Sequence, residues 1–369
     1  MAEAARPDGA RSARPAAPRT DAPLLVELTR GGCLESVHRV HVAVADADGR
    51  LLAWAGDPDR VAFMRSSAKP LQALPLVASG AAARFGLQPP DLAVACGSHV
   101  GAAIHQQAVA ALLARAGLDA GALRCGIHPP ADSAAHDDLV RRGLPPERIH
   151  NNCSGKHAGM LVSCIHLGWP IESYLAPEHP LQRWITEIVA SLGGVAPRWA
   201  PDGCGVPSFA IPLRAMATAY ARLGSGAGLP PAWAEAASVL AGAMADRPEL
   251  VSGPGRVNTI MLERMGRDVV TKGGAEGVWC AGLRTAGAAG AAGLAVKVED
   301  GADRAAAAAA IAVARACAFP GAGDPQLDPF AAPVLRNTLG DAVGEMRVHL
   351  PPGFAFQRSA AGQAAPRVE

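Results

Sequence analysis

The sequence predicts an α+β fold in which an antiparallel sheet is flanked by helices and the middle of the chain is helical. Alternating apolar residues predict strands near the start, at Leu24–Thr29 and Ser36–Ala45. Helical periodicity dominates about residues 150–265, and strand patterns return after residue 267. Strands at both ends of a helical middle, with few βαβ alternations, argue against a doubly wound parallel sheet.

The first part of the chain alternates short strands with helices. A third strand is predicted at Leu51–Trp54, and a short, proline-interrupted helix at Leu71–Ser79. The apolar run Asp91–Ala95 is interpreted as a buried strand that leads to a polar cluster. Residues 102–117 are predicted to be helical, and residues 119–151, rich in Pro, Asp and His, to be loops.

The middle and the end of the chain supply the remaining elements. A Gly- and Pro-rich loop is expected at Pro201–Pro207, because so many of these residues disfavour regular structure. The predicted helices are Met160–Leu167, Leu181–Leu192, Leu213–Leu223, Trp233–Met244, Val257–Met265 and 302–318, and the predicted late strands are Arg267–Thr271, Val278–Leu283, Gly293–Val298 and Val343–Leu350.

Composition and charge exclude several classes of function. The chain carries 34 Lys and Arg against 33 Asp and Glu, without a basic stripe interleaved with aromatic residues, which argues against nucleic-acid binding. It has no run of about 18 apolar residues, and residues 1–22 lack the apolar core of a signal peptide. We therefore expect a cytoplasmic protein with no membrane partner, a disordered arm at 1–22 and a disordered tail at 352–369. The eight cysteines favour metal binding or burial over a disulfide framework.

Lysine is scarce in this chain, and its positions mark candidate catalytic sites. The chain has only four lysines, Lys69, Lys156, Lys272 and Lys297, and the other residues of its 34 Lys and Arg are all arginine. A lysine amine can lose its proton, whereas a guanidinium cannot. Lys69 follows Ser66 by three residues, so a hydroxyl and an amine would share one face of a helix.

Pro70 places Ser66 at or just before a helix N-terminus, since proline is accepted in the first turn. Free backbone N–H groups there favour negative charge that develops on a serine oxygen. A desolvated Lys69 could take the serine proton and make Ser66 a nucleophile for acyl transfer. A three-residue pattern also arises by chance, so the motif alone does not establish catalysis.

Two further stretches carry polar residues of similar types. Ser98 and His99 follow the run Asp91–Ala95, a common position for catalytic groups, although they would equally serve as a helix cap and its neighbour. Lysines also stand in the Gly- and Ser-rich turns Cys153-Ser-Gly-Lys156 and Lys272-Gly-Gly. An S-x-x-K motif with a later K-x-G on a strand is the plan of penicillin-binding proteins and serine β-lactamases.

That plan is incomplete here, because the middle Ser-Asp-Asn motif is absent and because it gives no role to Cys153 and Cys204. Five motifs occur in order along the chain: RSSAKP (65–70), CGSHVG (96–101), NNCSGKH (151–157), DGCGVP (202–207) and KGGAEG (272–277). Together they resemble a narrower family, the class 3 or rhizobial-type L-asparaginases, which share the serine β-lactamase- and penicillin-binding-protein-like fold. The resemblance spans about residues 24–350 and implies an asparaginase II-type catalytic domain at 23–351, acting in asparagine catabolism as a homodimer.

The resemblance also implies roles for individual residues. Ser66 with Lys69 and Ser98 with Lys272 would form two Ser–Lys pairs beside one pocket, and either serine would be the nucleophile. Backbone N–H groups at the helix start or from the Gly273-Gly274 turn would stabilise the oxyanion.

By the same resemblance, Cys153, Lys156 and Cys204 would hold one Zn²⁺ per chain with a water. Two thiolates and one neutral nitrogen leave a fourth tetrahedral position open. The alternative is that the cysteines are buried thiols only. His157 would orient the substrate or support the metal ligands, and so would Asp202.

The resulting hypothesis is an amidohydrolase that converts L-asparagine and water to L-aspartate and ammonia through an acyl-enzyme. Arg65 and Asp202 are the candidates for binding the substrate's α-carboxylate and α-amine. One alternative is a β-lactamase-like serine peptidase or penicillin-binding enzyme, in which penicillin would label Ser66. The other is a non-enzymatic zinc-binding protein, which would hold zinc and hydrolyse no amide.

Overall fold

The alternating segments at the two ends of the chain form one large antiparallel sheet. The computed structural model describes residues 23–285, 287, 290–351 and 354. The strands are β1 (Leu24–Arg30), β2 (Cys33–Asp46), β3 (Leu51–Ala55), β4 (Val61–Phe63), β5 (Arg198–Pro201), β6 (Pro207–Pro212), β7 (Val269–Gly274), β8 (Val278–Leu283), β9 (Ala292–Val298), β10 (Val334–Arg336) and β11 (Ala342–His349). The large sheet has the order β10-β11-β1-β2-β9-β8-β7, with β3 also paired to β2, and β4, β6 and β5 form a second, small sheet.

Helices occupy the middle of the described chain. They are α1 (Lys69–Gln72), α2 (Leu74–Ala78), α3 (Ala81–Arg84), α4 (Pro89–Ala95), α5 (Ala103–Arg115), α6 (Ser133–Arg142), α7 (Ser154–Leu167), α8 (Pro180–Gly193), α9 (Leu213–Ser225), α10 (Pro231–Asp246), α11 (Pro248–Val251), α12 (Val257–Met265), α13 (Asp303–Ala316) and α14 (Asp328–Ala331). Short 3₁₀ turns lie at Arg65–Ala68, Ala120–Ala122, Arg148–His150 and Pro325–Leu327. Within the described residues, no helix is long and apolar enough to cross a membrane.

The large sheet is covered by helices on both faces. Successive side chains of a strand point to opposite faces, and β2 shows this alternation clearly. Val40, Val42 and Val44 pack in the core on the α13 side, whereas Ala43 and Ala45 belong to the core that contains α9. The buried apolar residues of this chain therefore form two layers, one on each side of the sheet.

Helix α9 lies unusually close to the sheet, and this closeness helps to place the site. A Cβ added at Gly282 or Gly293 would clash with the backbone carbonyl oxygens of Tyr220 and Ala217, respectively. Glycine is therefore required at these two sheet positions for α9 to pack as it does. The close packing lets the Tyr220 hydroxyl donate a hydrogen bond of 2.7 Å to the carbonyl oxygen of Ser67.

The predicted fold class is confirmed: the protein is α+β, with an antiparallel sheet flanked by helices and a helical middle region. The predicted strand Ser36–Ala45 lies within β2, and the predicted helix Leu181–Leu192 lies within α8. The arm expected at 1–22 lies outside the described residues, as does the expected tail at 352–369 apart from residue 354.

Two local predictions were wrong, and a third was confirmed. Asp91–Ala95 is helical, because Pro89 and Pro90 begin α4 and Asp91 caps it by accepting a 2.8 Å hydrogen bond from the Gln88 N–H. Residues 119–151 contain α6, a short, mostly polar surface helix with no buried residue. The loop predicted at Pro201–Pro207 is confirmed: it joins β5 to β6, and only its end residues Pro201 and Pro207 lie in the strands.

Candidate active site

Ser66 lies in the 3₁₀ turn that follows β4 and leads directly into α1. The preceding residue, Arg65, has φ 51°, a left-handed conformation that is costly for a residue with a side chain. The turn is fixed from several sides: the Met64 N–H donates to Phe209 O at 2.8 Å, and the Ser67 hydroxyl donates to Met64 O at 2.7 Å. The surrounding structure therefore holds Ser66 in a strained turn at the start of a helix.

Lys69 is almost fully buried, with 1% of its surface exposed. Its Nζ donates to Gly97 O at 2.6 Å and to Asn152 O at 3.2 Å, so it contacts the residues that directly precede Ser98 and Cys153. Burial lowers the pKa of Lys69, and the nearby Cys153 thiolate opposes that effect. In the described part of the chain, the amine makes no hydrogen bond to the Ser66 hydroxyl.

Ser66, Ser98 and Lys272 line one cavity of about 500 Å³. The Ser98 hydroxyl is buried and has no hydrogen-bond partner among the described residues. Buried hydroxyls normally have a partner, so this oxygen is available to a bound molecule. Lys69 does not line the cavity, although Asn152, which accepts its hydrogen bond, does.

Lys272 lies on β7 with 2% of its surface exposed, and its Nζ donates to Gly273 O at 2.8 Å. Burial and the positive charge of Lys69 lower the pKa of Lys272 from 10.5 to about 7. A substantial fraction of this amine is therefore uncharged at neutral pH, as a general base requires.

One of the expected oxyanion donors is occupied. The Gly273 N–H donates to Asn258 Oδ1 at 3.1 Å and therefore does not point freely into the cavity. Ala275 also lines the cavity, and among the described residues its N–H has no hydrogen-bond partner. The turn after β7 thus retains Ala275 as a candidate donor in place of Gly273.

Gly274 joins this turn to the turn that carries Ser66. A Cβ at Gly274 would lie 2.7 Å from Met64 O and 3.2 Å from the Ser67 nitrogen, both backbone atoms that cannot move independently. We expect Gly274→Ala to displace the Ser66 turn and to lower kcat/KM for amide hydrolysis by about 100-fold, the loss caused by a misplacement near 1 Å. Steady-state kinetics measure this loss, and denaturant unfolding measures whether the stability of the protein also changes.

The matched control is Gly323→Ala, where an added Cβ has nothing within 4 Å. That variant is expected to resemble the wild type in both measurements. Unchanged kinetics in Gly274→Ala would show that the contact between the two turns does not place Ser66.

Cys153, Lys156 and Cys204 come together below the Ser66 turn, and all three are buried. The Lys156 Nζ donates to Cys204 Sγ at 3.1 Å. A hydrogen bond from Cys204 lowers the pKa of Cys153 well below its usual value, and Cys153 in turn raises the pKa of Cys204. Burial would lower the pKa of Lys156, but the two cysteines outweigh it and raise that pKa.

This cluster is a soft donor set of a kind that suits zinc. Within the described residues, no group of three or more His, Cys, Asp or Glu side chains could hold a metal ion. A three-donor set at this position therefore needs the Lys156 amine, which must first lose its proton.

Arg65 and Asp202 form an ion pair, with 3.0 Å between Arg65 Nε and Asp202 Oδ1. A second carboxylate, Glu276, lies 3.9 Å from Arg65. Burial would raise the pKa of Asp202, but the positive charges of Lys156 and Arg65 lower it. Cys204 Sγ lies 3.7 Å from Asp202 Oδ2, so the ion pair adjoins the cysteine cluster and not the cavity lining.

His157 is fully buried, and its Nδ1 lies 2.7 Å from the Tyr174 hydroxyl. That hydroxyl also accepts a hydrogen bond from the Arg124 N–H at 3.0 Å, so it is held from two sides. Burial, followed by the charges of Lys156 and Lys69, lowers the pKa of His157 well below 6.5. His157 is therefore a neutral side chain of fixed orientation on the helix that carries Lys156.

Sequence reasoning missed several residues that support the site. Tyr174 orients His157, and Tyr220 bonds to the Ser66 turn. They are the only two tyrosines in the chain, so their rarity was a usable signal, as it was for lysine. Asn258, which lines the cavity and bonds to β7, had no comparable signal.

A family model described as L-asparaginase II matches residues 26–348. No curated protein shows a significant match.

Among solved structures, Mglu in its tris and glutamate form has a TM-score of 0.43 and 15% sequence identity, covering 78% of this chain and 61% of that chain. Another structure of Mglu has a TM-score of 0.44 and 14% identity, covering 81% and 72%. A Bacillus glutaminase in the presence of 4.3 M NaCl has a TM-score of 0.38 and 13% identity, covering 71% and 85%. The chain thus spans about three fifths of the length of the first of these structures.

Proposed function

The chain belongs to the L-asparaginase II family, and from that premise we propose that it hydrolyses the side-chain amide of L-asparagine to L-aspartate and ammonia. Family membership supports amidohydrolase activity. The observation that carries the proposal is one cavity lined by Ser66, Ser98 and Lys272. Serine side chains that share a cavity with an amine whose pKa is about 7 are suited to acyl transfer.

The proposed reaction has two halves. Ser66 or Ser98 transfers its proton to a lysine amine while its Oγ attacks the amide carbon, and the resulting intermediate collapses as the C–N bond breaks. The lysine returns the proton to the leaving nitrogen, which departs as ammonia. A water then loses a proton to the lysine, attacks the ester and releases aspartate, and the serine regains its proton.

Each lysine has a separate part in this scheme. Lys272 lines the cavity and moves the proton, since its pKa lies near the working pH. Lys69 bonds to the carbonyls of Gly97 and Asn152, holds the two loops that carry Ser98 and Cys153, and lowers the pKa of Lys272 by its charge.

Cys153, Lys156 and Cys204 would hold a zinc ion, with Asp202 and His157 as neighbours. When bound, zinc supplies a Lewis-acidic position for an amine or carboxylate of the substrate. Arg65 and Asp202 would bind the α-carboxylate and the α-amine by exchanging their mutual ion pair for pairs with the substrate. Arg65 is about one-third exposed, so this exchange is accessible.

The pH dependence of the reaction follows from Lys272. Because the amine must be uncharged to accept a proton, kcat/KM is expected to rise with pH through an apparent pKa of about 7 and then to level off. Initial rates of ammonia release from pH 5 to 9 would measure this. A profile that is flat across neutral pH, in a protein that stays folded throughout, would exclude Lys272 as the base.

The direct test of the function is an assay of ammonia release from asparagine, glutamine and small amides. Turnover of asparagine is expected, and it should require Ser66 or Ser98. No turnover of any amide by a correctly folded, zinc-loaded protein would reject the proposal. If penicillin labelled Ser66 in that protein, the β-lactamase-like alternative would replace it.

A further inference from the structure

Lys272 lies on the outermost strand of the large sheet. The strand order ends at β7, which pairs with β8 on one side only. Backbone groups of successive residues point to opposite edges of a strand, so Thr271 and Gly273, two residues apart, present theirs to the same edge. An exposed edge next to a catalytic amine would leave the position of that amine poorly determined.

Asn258 covers this edge at the position of Lys272. It belongs to the first turn of α12, and 4% of its surface is exposed. Its Nδ2 donates to Thr271 O at 3.3 Å, and its Oδ1 accepts from the Gly273 N–H at 3.1 Å. One side-chain amide therefore bonds to the backbone on both sides of Lys272, as a residue of a neighbouring strand would.

The same backbone segment determines where the Lys272 amine lies. The Lys272 Nζ donates to the carbonyl oxygen of Gly273, the residue whose N–H is bonded to Asn258. On the other side, Thr271 is held through its hydroxyl, which accepts from Trp279 Nε1 at 2.8 Å and donates to Cys280 O at 3.1 Å. Asn258 completes this set of contacts from the open edge of β7.

We propose that Asn258 is a positioning residue that holds Lys272 at the wall of the cavity by bonding to Thr271 and Gly273. The proposal rests on the proposed function, in which Lys272 moves the proton. The site requires a donor and an acceptor on one short side chain, because Thr271 offers an oxygen and Gly273 offers an N–H. Aspartate satisfies only the Gly273 N–H, and leucine satisfies neither group.

The first test is kinetic and uses Asn258→Leu and Asn258→Asp. Asn258→Leu is expected to lower kcat for ammonia release by about 10- to 100-fold, a loss of the size caused by misplacing a catalytic group. KM is expected to change little, since the amine acts in the chemical step. Asn258→Asp keeps one hydrogen bond and should recover part of the lost kcat.

The control is Thr218→Val, which removes a buried hydrogen bond to Arg214 O from helix α9. It should lower the melting temperature as a lost hydrogen bond does, with wild-type kcat and KM. Comparison with this variant separates a loss of position from a loss of stability.

The second test does not depend on amide hydrolysis. Cyanate reacts with uncharged amines, so its rate of carbamoylation at Lys272, followed by peptide mass spectrometry against pH, reports the ionisation of that amine. The other charged or titratable groups that act on Lys272 are Lys69, Cys96 and Cys153. Asn258→Leu changes none of these groups. A pH midpoint of the carbamoylation rate that moves to higher pH in this variant would therefore show that the Lys272 amine has moved toward solvent.

The outcomes are distinct. Wild-type kcat in both Asn258 variants, with an unchanged carbamoylation midpoint in Asn258→Leu, would overturn the positioning role. If Asn258→Leu does not fold, Asn258→Ala decides by the same two measurements, since it removes both hydrogen bonds without adding a charge. If the wild type hydrolyses no amide, the proposed function fails, and the carbamoylation midpoints still decide whether Asn258 positions Lys272.

Discussion

Replacing Lys272 with methionine is expected to lower kcat for ammonia release from asparagine by about 10²- to 10⁴-fold, the usual contribution of a general base. Methionine is similar to lysine in length and apolar, so it should fill the space without leaving a buried charge. Steady-state kinetics with purified protein measure the effect. Lys297→Met is the matched control, because Lys297 lies on β9 and does not line the cavity.

The same variant has an expected signature in stability. The pKa of Lys272 falls from 10.5 to about 7 on folding, so between pH 7 and 10.5 the unfolded chain binds more protons than the folded one. The free energy of unfolding of the wild type should therefore rise with pH over this range, and the destabilisation is complete below pH 7. Lys272→Met should lack this slope and should gain most stability over the wild type at low pH.

Together, these results distinguish a catalytic role of Lys272 from a structural one, because Lys272→Met should lose activity while its stability is kept or increased. Ser66→Ala and Ser98→Ala extend the test to the nucleophile, and at least one of them should lose activity by a similar factor. Wild-type turnover in both serine variants, or in Lys272→Met, would contradict the Ser–Lys scheme.

Replacing Cys153 with alanine is expected to remove zinc from the protein. Elemental analysis of the purified wild type should find about one zinc ion per chain. Losing one of three protein donors should weaken zinc binding by more than about 100-fold, since changes in residues that merely support ligands already cost 10- to 100-fold. Lys156 would then lie beside a single thiol.

Cys164→Ala is the control for this experiment. Cys164 lies on the same helix, α7, and its burial raises the pKa of its thiol to about 12, so it remains a neutral, packed side chain. Zinc content should be unchanged in this variant. Wild-type protein that is free of metal and fully active would reduce Cys153 and Cys204 to packing residues.

Much of the architecture was predictable because it is encoded locally. Strand β2 and helix α8 carry long periodic patterns, and the structure has them where the pattern predicts. Helix α4 was mistaken for a strand because a run of four apolar residues, Leu92–Ala95, fits either structure. Helix α6 was missed because it is short and mostly polar and lies among residues rich in Pro, Asp and His.

The candidate site was predictable in part for a different reason. The rare lysines and the five ordered motifs identified Ser66, Lys69, Ser98 and Lys272, since these residues stand in short stretches of unusual composition. Asn258 was not identified, because an asparagine at the start of a helix is ordinary until its contact with β7 is known.

By itself, the sequence determined the α+β class, the order of the strands and helices along most of the chain, and the residue types available for chemistry. These features depend on residues that are close together in the chain, so the periodicity and spacing of the sequence predict them. Only the tertiary structure decided that three of those residues line one cavity and that the pKa of Lys272 falls to about 7. Burial and hydrogen bonds between distant residues, such as Tyr220 and Ser67, set these properties, and no local pattern contains them.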